Sequence, residues 1–313
     1  MTESDLARRL GVDGYFARIA PPDVADGASP ATGFVPVKNR PLEHSQFRYG
    51  EIVSPDALAL VRFGLRDPSD PRIRNTVRAI DALLRTDTAT GPVWHRYNED
   101  GYGEHESGAA FDGTGVGRGW PLLTAERGHY ELARGDSARA RELLQVVRMQ
   151  ASPGGFLPEQ VWDASDIPAR ELFNGRPSGS AMPLVWAHAE YIKLVRSLAD
   201  GAVFDMPPQT VRRYREQRRV SRLSVWRFNH KIRAMAPGRV LRLEALAPAV
   251  VHWSVDGWNA VNDTPTADTG IGMFCVDLPT ERLALETVIH FTFRWLDADR
   301  WEGTDFEVVV RAE

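Results

Sequence analysis

A single cysteine, Cys275, stands in the 313 residues, which excludes an internal disulfide framework and a cysteine-rich zinc site. Lysine is almost as scarce. Lys38, Lys193 and Lys231 are the only three among 38 basic residues, a compositional bias that assigns no binding role. A basic stripe is missing too: 38 basic and 42 acidic residues are interspersed to a net charge of -4, so no nucleic acid partner is expected. No apolar run approaches a membrane span, and no membrane association is expected. Residues 1–5 begin acidic, without the basic start and apolar core of a secretory signal, so a cytoplasmic location is the default if Met1 is the natural amino terminus. His95, His105 and His129 fall in one region but lack the His-Glu-x-x-His spacing, and no Gly-x-Ser-x-Gly elbow joins a strand to a helix. Neither a catalytic metal, nor another cofactor, nor a serine nucleophile is expected.

What is present supports a sizeable core, since 43% of the residues are hydrophobic. Residues 1–50 read as an irregular segment that docks on the rest: Pro21, Pro22, Pro30, Pro36 and Pro41 forbid a long helix, while Tyr15, Phe16 and Ile19 can anchor it. Helical spacing begins at Ser54. Leu58, Leu60, Val61, Phe63 and Leu65 precede a break at Asp67-Pro68, and Ile73, Val77, Ile80, Leu83 and Leu84 follow it, predicting an antiparallel pair. A second pair is expected over residues 120–135 and 137–150, with Gly135-Asp136 as stop and restart. Residues 181–198 form the most apolar helix, expected to be buried on most sides. From about residue 220 the pattern changes to short runs rich in Val, Thr, Phe and Trp, and the alternation in Val288-Ile289-His290-Phe291-Thr292-Phe293-Arg294-Trp295 predicts a β-sandwich. The division is thus 1–50, 51–219 and 220–313: mainly α, with an all-β tail.

Long polar loops rich in aromatics separate the helical pairs. Residues 86–117 contain Trp94-His95-Arg96-Tyr97-Asn98-Glu99-Asp100-Gly101-Tyr102-Gly103-Glu104, too aromatic for disorder and too long for a plain connection. Arg96 offers a forked donor to paired sugar hydroxyls, and Trp94, Tyr97 and Tyr102 are stacking candidates. A loop pinned by its aromatics, with Arg96 in a structural salt bridge, fits the same residues. Phe156-Leu157-Pro158-Glu159-Gln160-Val161-Trp162-Asp163 puts two acids, an amide and an indole in one non-helical stretch, as a sugar site requires. It fits equally a helix start with Trp162 in the core. Glu126, Arg127 and Glu131 share a helix with Trp120, and an ordinary pair of charges one helical turn apart also explains them.

Four motifs resemble the family 15 glycoside hydrolases, which include bacterial glucoamylases and glucodextranases. They are His95-Arg96-Tyr97-Asn98-Glu99-Asp100-Gly101-Tyr102-Gly103, the run from Gly117-Arg118-Gly119-Trp120 to Glu131-Leu132, the octet containing Glu159, and Gly175-Arg176-Pro177-Ser178-Gly179-Ser180-Ala181 to Trp186. The resemblance is strong over residues 45–205 and looser in the tail. It implies an (α/α)6 toroid with its site in the mouth formed by the long loops, of which this chain would hold the second half. It also implies release of glucose from the non-reducing ends of α-glucans with inversion. By resemblance Glu159 is the general base, Arg96 holds sugar hydroxyls, Trp120 and Trp162 line the site, and Asp100 and Glu126 are lesser carry-overs; Trp94, Tyr97 and Gln160, read from the loops themselves, complete the substrate-binding set.

The resemblance also implies a general acid on a Trp-Glu-Glu motif upstream of the base, and this sequence has none; Trp301-Glu302-Gly303 in the tail is a chance echo. The chain therefore reads as the carboxy-terminal portion of such an enzyme, truncated or split. Its expected partners are an α-glucan or maltooligosaccharide and a separate chain carrying the amino-terminal half. The alternatives are a non-catalytic α-glucan-binding protein and an inactive remnant.

Overall fold

A computed structural model describes residues 5–19 and 33–312 of the chain. They form two compact units, one of residues 5–19 with 33–219 and one of residues 220–312. Most of the proline-rich run expected to be an extended loop, and the acidic start at residues 1–4, lie outside the described residues. No helix among the described residues is long and apolar enough to cross a membrane.

The first unit opens with α1 (Asp5–Leu10), whose Leu6 is fully buried in the core of the helices that follow. The chain then comes back to those helices. Phe16 N donates to Thr76 Oγ1 at 2.9 Å, and Arg78 donates to the Leu10 carbonyl at 3.0 Å. A small hairpin of β1 (Phe34–Pro36) and β2 (Gln46–Arg48) leads to a 3-10 turn at Pro55–Leu58 and α2 (Ala59–Arg62). Asp70 caps α3 (Pro71–Leu84) by accepting from Arg72 N at 2.8 Å, with Pro71 supplying the first helical position. β3 (Arg85–Thr88) and β4 (Gly91–Trp94) make a hairpin, which occupies the start of the long loop expected over residues 86–117.

α4 (Pro121–Ala133) and α5 (Ser137–Met149) follow, joined through Gly135 in a left-handed turn and Asp136, whose carboxylate accepts from Arg139 N at 3.0 Å. α4 packs on α5 and on α6 (Val185–Asp200), and is buried along nearly its whole length. α6 corrects an expectation. Only Ala187, Glu190, Leu194 and Ser197 are buried there, while Val185, Trp186, Ile192 and Val195 are exposed, Val185 to 79%. An apolar composition shows that faces favour cover, not that cover is supplied. The unit ends in a short helical segment, α7 (Pro208–Thr210), which runs into a π-helical turn at Val211–Glu216.

In the second unit β5 (Leu223–Arg227), β6 (Ala234–Met235), β7 (Val240–Ala245), β8 (Ala249–Ser254), β9 (Asn262–Pro265), β10 (Ala267–Asp268), β11 (Phe274–Leu278), β12 (Val288–Trp295), β13 (Arg300–Trp301) and β14 (Phe306–Val310) build two sheets. One has the order β10-β11-β7-β5 and the other β6-β14-β12-β8-β9, with β13 on β12. Most neighbours are antiparallel, but β5 runs parallel to β7 and β6 to β14. Trp226, Leu241, Leu243 and Leu278 from the first sheet share one apolar core with Val251, Ile289, Phe291 and Phe293 from the second. The alternation along β12 thus buries Ile289, Phe291 and Phe293, as a two-sheet packing requires.

Candidate active site

Four segments of the first unit are stitched side by side through single β-bridges. Trp94 pairs with Trp120, Gly119 with Val161, and Val161 with Pro177. The connecting bonds are short: Trp120 N to the Trp94 carbonyl at 2.9 Å, Val161 N to the Gly119 carbonyl at 2.9 Å, and Glu159 N to the Ala181 carbonyl at 2.8 Å. Glycine makes this approach feasible. A Cβ on Gly103 would meet the Val116 carbonyl at 2.2 Å, and one on Gly117 would meet the Asp100 side chain at 2.7 Å. The four motifs, spread over some ninety residues of sequence, therefore converge on one place.

Glu159 and Arg96 meet there through Tyr102. The Tyr102 hydroxyl donates to Glu159 Oε2 at 3.3 Å, and the Arg96 guanidinium lies 4.9 Å from the Tyr102 ring centre and 5.0 Å from that of Trp120. Asp100 fixes Arg96 with a forked pair, accepting from Nε at 2.7 Å and from the terminal nitrogen at 2.9 Å, and also accepts from Tyr102 N at 3.0 Å. Glu159 lines a cavity of about 600 Å3 with Tyr102, Glu104, Phe111, Arg170 and Ser180. Burial holds the Glu159 carboxyl above its ordinary range. The Tyr102 hydroxyl and the Arg96 charge work against that rise, and the Glu104 charge adds to it. The result is a half-buried, oriented carboxylate beside a fixed cation and an aromatic wall, able to take a proton from a water held opposite a polar ligand.

Most of the other expected site residues sit elsewhere, in ways that correct the sequence reading. Trp162 has no exposed surface; it lies beneath the loops with Arg118 over its ring at 4.1 Å and its Nε1 donating to the Ser165 carbonyl at 2.8 Å. Gln160 is also buried. Its amide bonds the Tyr102 carbonyl at 3.0 Å and Arg118 N at 3.0 Å, so it ties the octet to the neighbouring segments while lining the same cavity as Glu159. Trp94 is buried beside a charge cluster, with Nε1 donating to Asp81 at 2.9 Å and Arg127 over its ring at 5.2 Å. Arg127 in turn pairs with Glu131 one turn along α4 at 2.8 Å. Tyr97 is covered by Arg18 at 4.1 Å and by Arg96 at 5.4 Å, so it props the site arginine. Glu126 lines a different cavity of about 270 Å3 with Arg62, Phe63, Trp186, Glu190 and Lys193. Burial and the Glu190 charge push its carboxyl to about 7, against the pull of Arg62.

Sequence reasoning gave no role to Glu104 and Arg118, and counted Asp163 only as one of the two acids of the octet, yet all three build the site. Glu104 is buried beside Glu159, and its Oε2 has no hydrogen-bond partner among the described residues. Asp163 and Arg118 clamp the loops from below: Asp163 pairs with His95 at 2.8 Å and Arg118 at 3.2 Å, and accepts from Gly119 N at 2.9 Å. Burial alone would raise the Asp163 carboxyl, but His95 and Arg118 outweigh it and hold it low. The signal available was glycine: Gly117 and Gly119 flank Arg118 where a Cβ would run into the side chains of Asp100 and Val93. Among the described residues no group of three or more His, Cys, Asp or Glu side chains could hold a metal ion.

The chain belongs to the Glycosyl hydrolases family 15, whose model matches residues 14–196. It is 46% identical over 164 residues to a glucoamylase of Clostridium sp. (strain G0005), a match that covers 52% of this chain and 22% of that protein. A stretch of 97 residues is 34% identical to a cycloisomaltooligosaccharide glucanotransferase of Niallia circulans, covering 28% of this chain and 10% of that one. Among solved structures, a bacterial glucoamylase complexed with acarbose matches with a TM-score of 0.56 at 39% identity, over 64% of this chain and 27% of the other. The chain thus spans well under a third of the length of either glucoamylase.

Proposed function

We propose that the chain carries the base-bearing half of a glucoamylase-like active site, which releases glucose from the non-reducing ends of α-glucans with inversion. Glu159 is the general base, Arg96 with Asp100 holds sugar hydroxyls, and Tyr102 and Trp120 form the aromatic wall. The observation that carries this reading is that Glu159 and the Tyr102 bonded to it line a cavity of about 600 Å3 in a family 15 chain, with the Arg96 guanidinium held against the Tyr102 ring. The solved relative bound to acarbose supports an oligosaccharide of that class as ligand.

Inversion needs a second carboxyl about 6.5 to 9.5 Å from the first, with room for water between. The other carboxylate at this cavity is Glu104, which is buried. The acid is therefore assigned to polypeptide outside this sequence, as the amino-terminal half of an (α/α)6 toroid on the same or a separate chain. The exposed apolar face of α6 supports that reading, because Val185, Trp186, Ile192 and Val195 favour cover by further helices. Without the acid, leaving-group protonation would lose ~10² to 10⁴-fold in rate.

The test is glucose release from maltooligosaccharides by the chain alone and after mixing with a chain that carries the amino-terminal half, with NMR reading which anomer appears first. β-Glucose from the mixture alone is the expected result; α-glucose, or none from either, refutes the proposal. The buried state of Glu104 also favours a second reading, a non-catalytic α-glucan-binding protein. Maltose binding that Glu159→Gln leaves unchanged, with no turnover in the mixture, would select it.

A further inference from the structure

The second unit contains a cleft of about 660 Å3, within the range of small-molecule sites, between the ends of β5, β7 and β12. Phe228, Ala245, Met273 and Trp295 supply its apolar surface. Trp295 is held in one plane from two directions. Its ring stacks on Phe293 at 5.4 Å with 9° between planes, and its Nε1 donates to Glu302 Oε2 at 2.8 Å. The half-buried indole lines the cleft together with Phe228, whose ring centre lies 5.7 Å from its own. Around it stand Arg227, Asn229, Glu244, Asp297, Arg300 and Glu302, a ring of planar polar groups.

We propose that this cleft is a second carbohydrate-binding site, for a short α-glucan segment. A pyranose presents an apolar face of C–H groups and a rim of hydroxyls that both donate and accept. A fixed indole stacks on the first, while carboxylates accept from the second and Arg and Asn donate to it. The rim carries three acids against two arginines, which disfavours a polyanion such as nucleic acid and favours a neutral polyhydroxyl ligand. Binding costs little ordering entropy, because Trp295 is already held by Phe293 and Glu302. That the sugar is an α-glucan rests on the family 15 reading of the first unit; the presence of a sugar site rests on the cleft itself.

The experiment is calorimetric titration of the full chain with maltoheptaose, crossed with changes at the two sites. Arg96→Ala removes the hydroxyl clamp of the first unit. Trp295→Ala removes the stacking face, and because it also unloads Phe293, the exposed pair Asn229→Ala and Arg300→Ala serves as a second test with the aromatic core intact. Binding that survives Arg96→Ala and then weakens at least tenfold with Trp295→Ala, and measurably with the exposed pair, is the expected result. It would uphold the cleft even if the chain never releases glucose. Binding abolished by Arg96→Ala alone, or residual binding indifferent to both cleft changes, overturns the cleft and leaves the family 15 reading standing. No binding by the unaltered chain overturns this proposal too, while glucose release by the complemented enzyme separately decides the other.

Discussion

Glu159 and Glu126 are two half-buried glutamates of the same unit, each on a cavity and each with its carboxyl pushed up chiefly by burial. Their neighbours differ. Glu159 accepts from the Tyr102 hydroxyl and feels the Arg96 charge, both of which favour the ionised form. Glu126 faces the Glu190 charge, and Arg62, which could relieve it, is committed to Glu190 at 2.6 Å and Asp205 at 2.6 Å. A displaced pKa marks desolvation, which a seam between packed elements produces as readily as a catalytic pocket. What separates the two is an aimed donor and a fixed cation.

The sharpest way to break this comparison is a pair of isosteric changes in the complemented enzyme. Glu159→Gln removes a general base and should lower kcat for glucose release by ~10² to 10⁴-fold while leaving ligand affinity nearly intact. Glu126→Gln should leave kcat within a few-fold. A comparable loss from both would mean that the second cavity belongs to the chemistry and that the distinction drawn here is wrong. Arg96→Ala comes next, with maltooligosaccharide binding weakened by ~1.5 to 3 kcal/mol, the worth of hydrogen bonds to a charged group. Since it also strands the buried Asp100, thermal melting must confirm that the chain stays folded.

How much of this could be read beforehand depends on the kind of information each feature needs. Helix ends were legible because they are local: Asp70-Pro71 and Gly135-Asp136 carry their cap chemistry in adjacent residues. The convergence of Arg96 and Glu159 was legible through the motifs alone, since no periodicity relates positions 63 residues apart. Trp162 and Trp94 were misplaced for the same reason. An indole in a loop can face ligand or core, and the choice is made by what approaches from another segment, here Arg118 and Arg127. Glu126 and Trp120 fall together in the helix expected from residue 120, but six positions along a helix is about 9 Å of rise, enough to reach another cavity. The exposure of α6 was illegible in principle, being a property of what lies beside the helix.

Stability against pH sharpens the comparison from another side. The Glu126 carboxyl at about 7 stands above its unfolded value, so the folded chain binds the proton more tightly. Its contribution is favourable below the unfolded pKa and is lost as pH rises through 7. Full expression of that shift would be ~3 kcal/mol, and its partial exposure reduces it. Glu126→Gln should therefore melt close to the parent at pH 5 and several degrees higher at pH 8. His129 works in the opposite direction. It is fully buried, burial and then Arg62 hold its imidazole down to about 4, and its contribution, present above the unfolded pKa, is lost as pH falls through about 4. A Glu126→Gln melting difference that did not grow with pH would place the carboxyl in water and remove one side of the comparison.

The smallest effect isolates the one repulsive neighbour that Glu159 does have. Glu104 lies at the same cavity and its charge raises the Glu159 carboxyl, in opposition to Tyr102 and Arg96. Replacing it with Gln keeps the shape and removes the charge, so Glu159 should titrate lower. A general base acts ionised, so the acidic limb of kcat/KM should move down with it while the plateau stays nearly level. The readout is the pH profile rather than the rate at one pH, since a purely structural role for Glu104 would lower the plateau and leave the limb in place. Tyr102→Phe should move the same limb upward, because the hydroxyl that favours the ionised carboxylate is gone. Opposite displacements from two neighbours of one carboxylate would identify Glu159 as the group that titrates; a common direction would assign the limb to another residue.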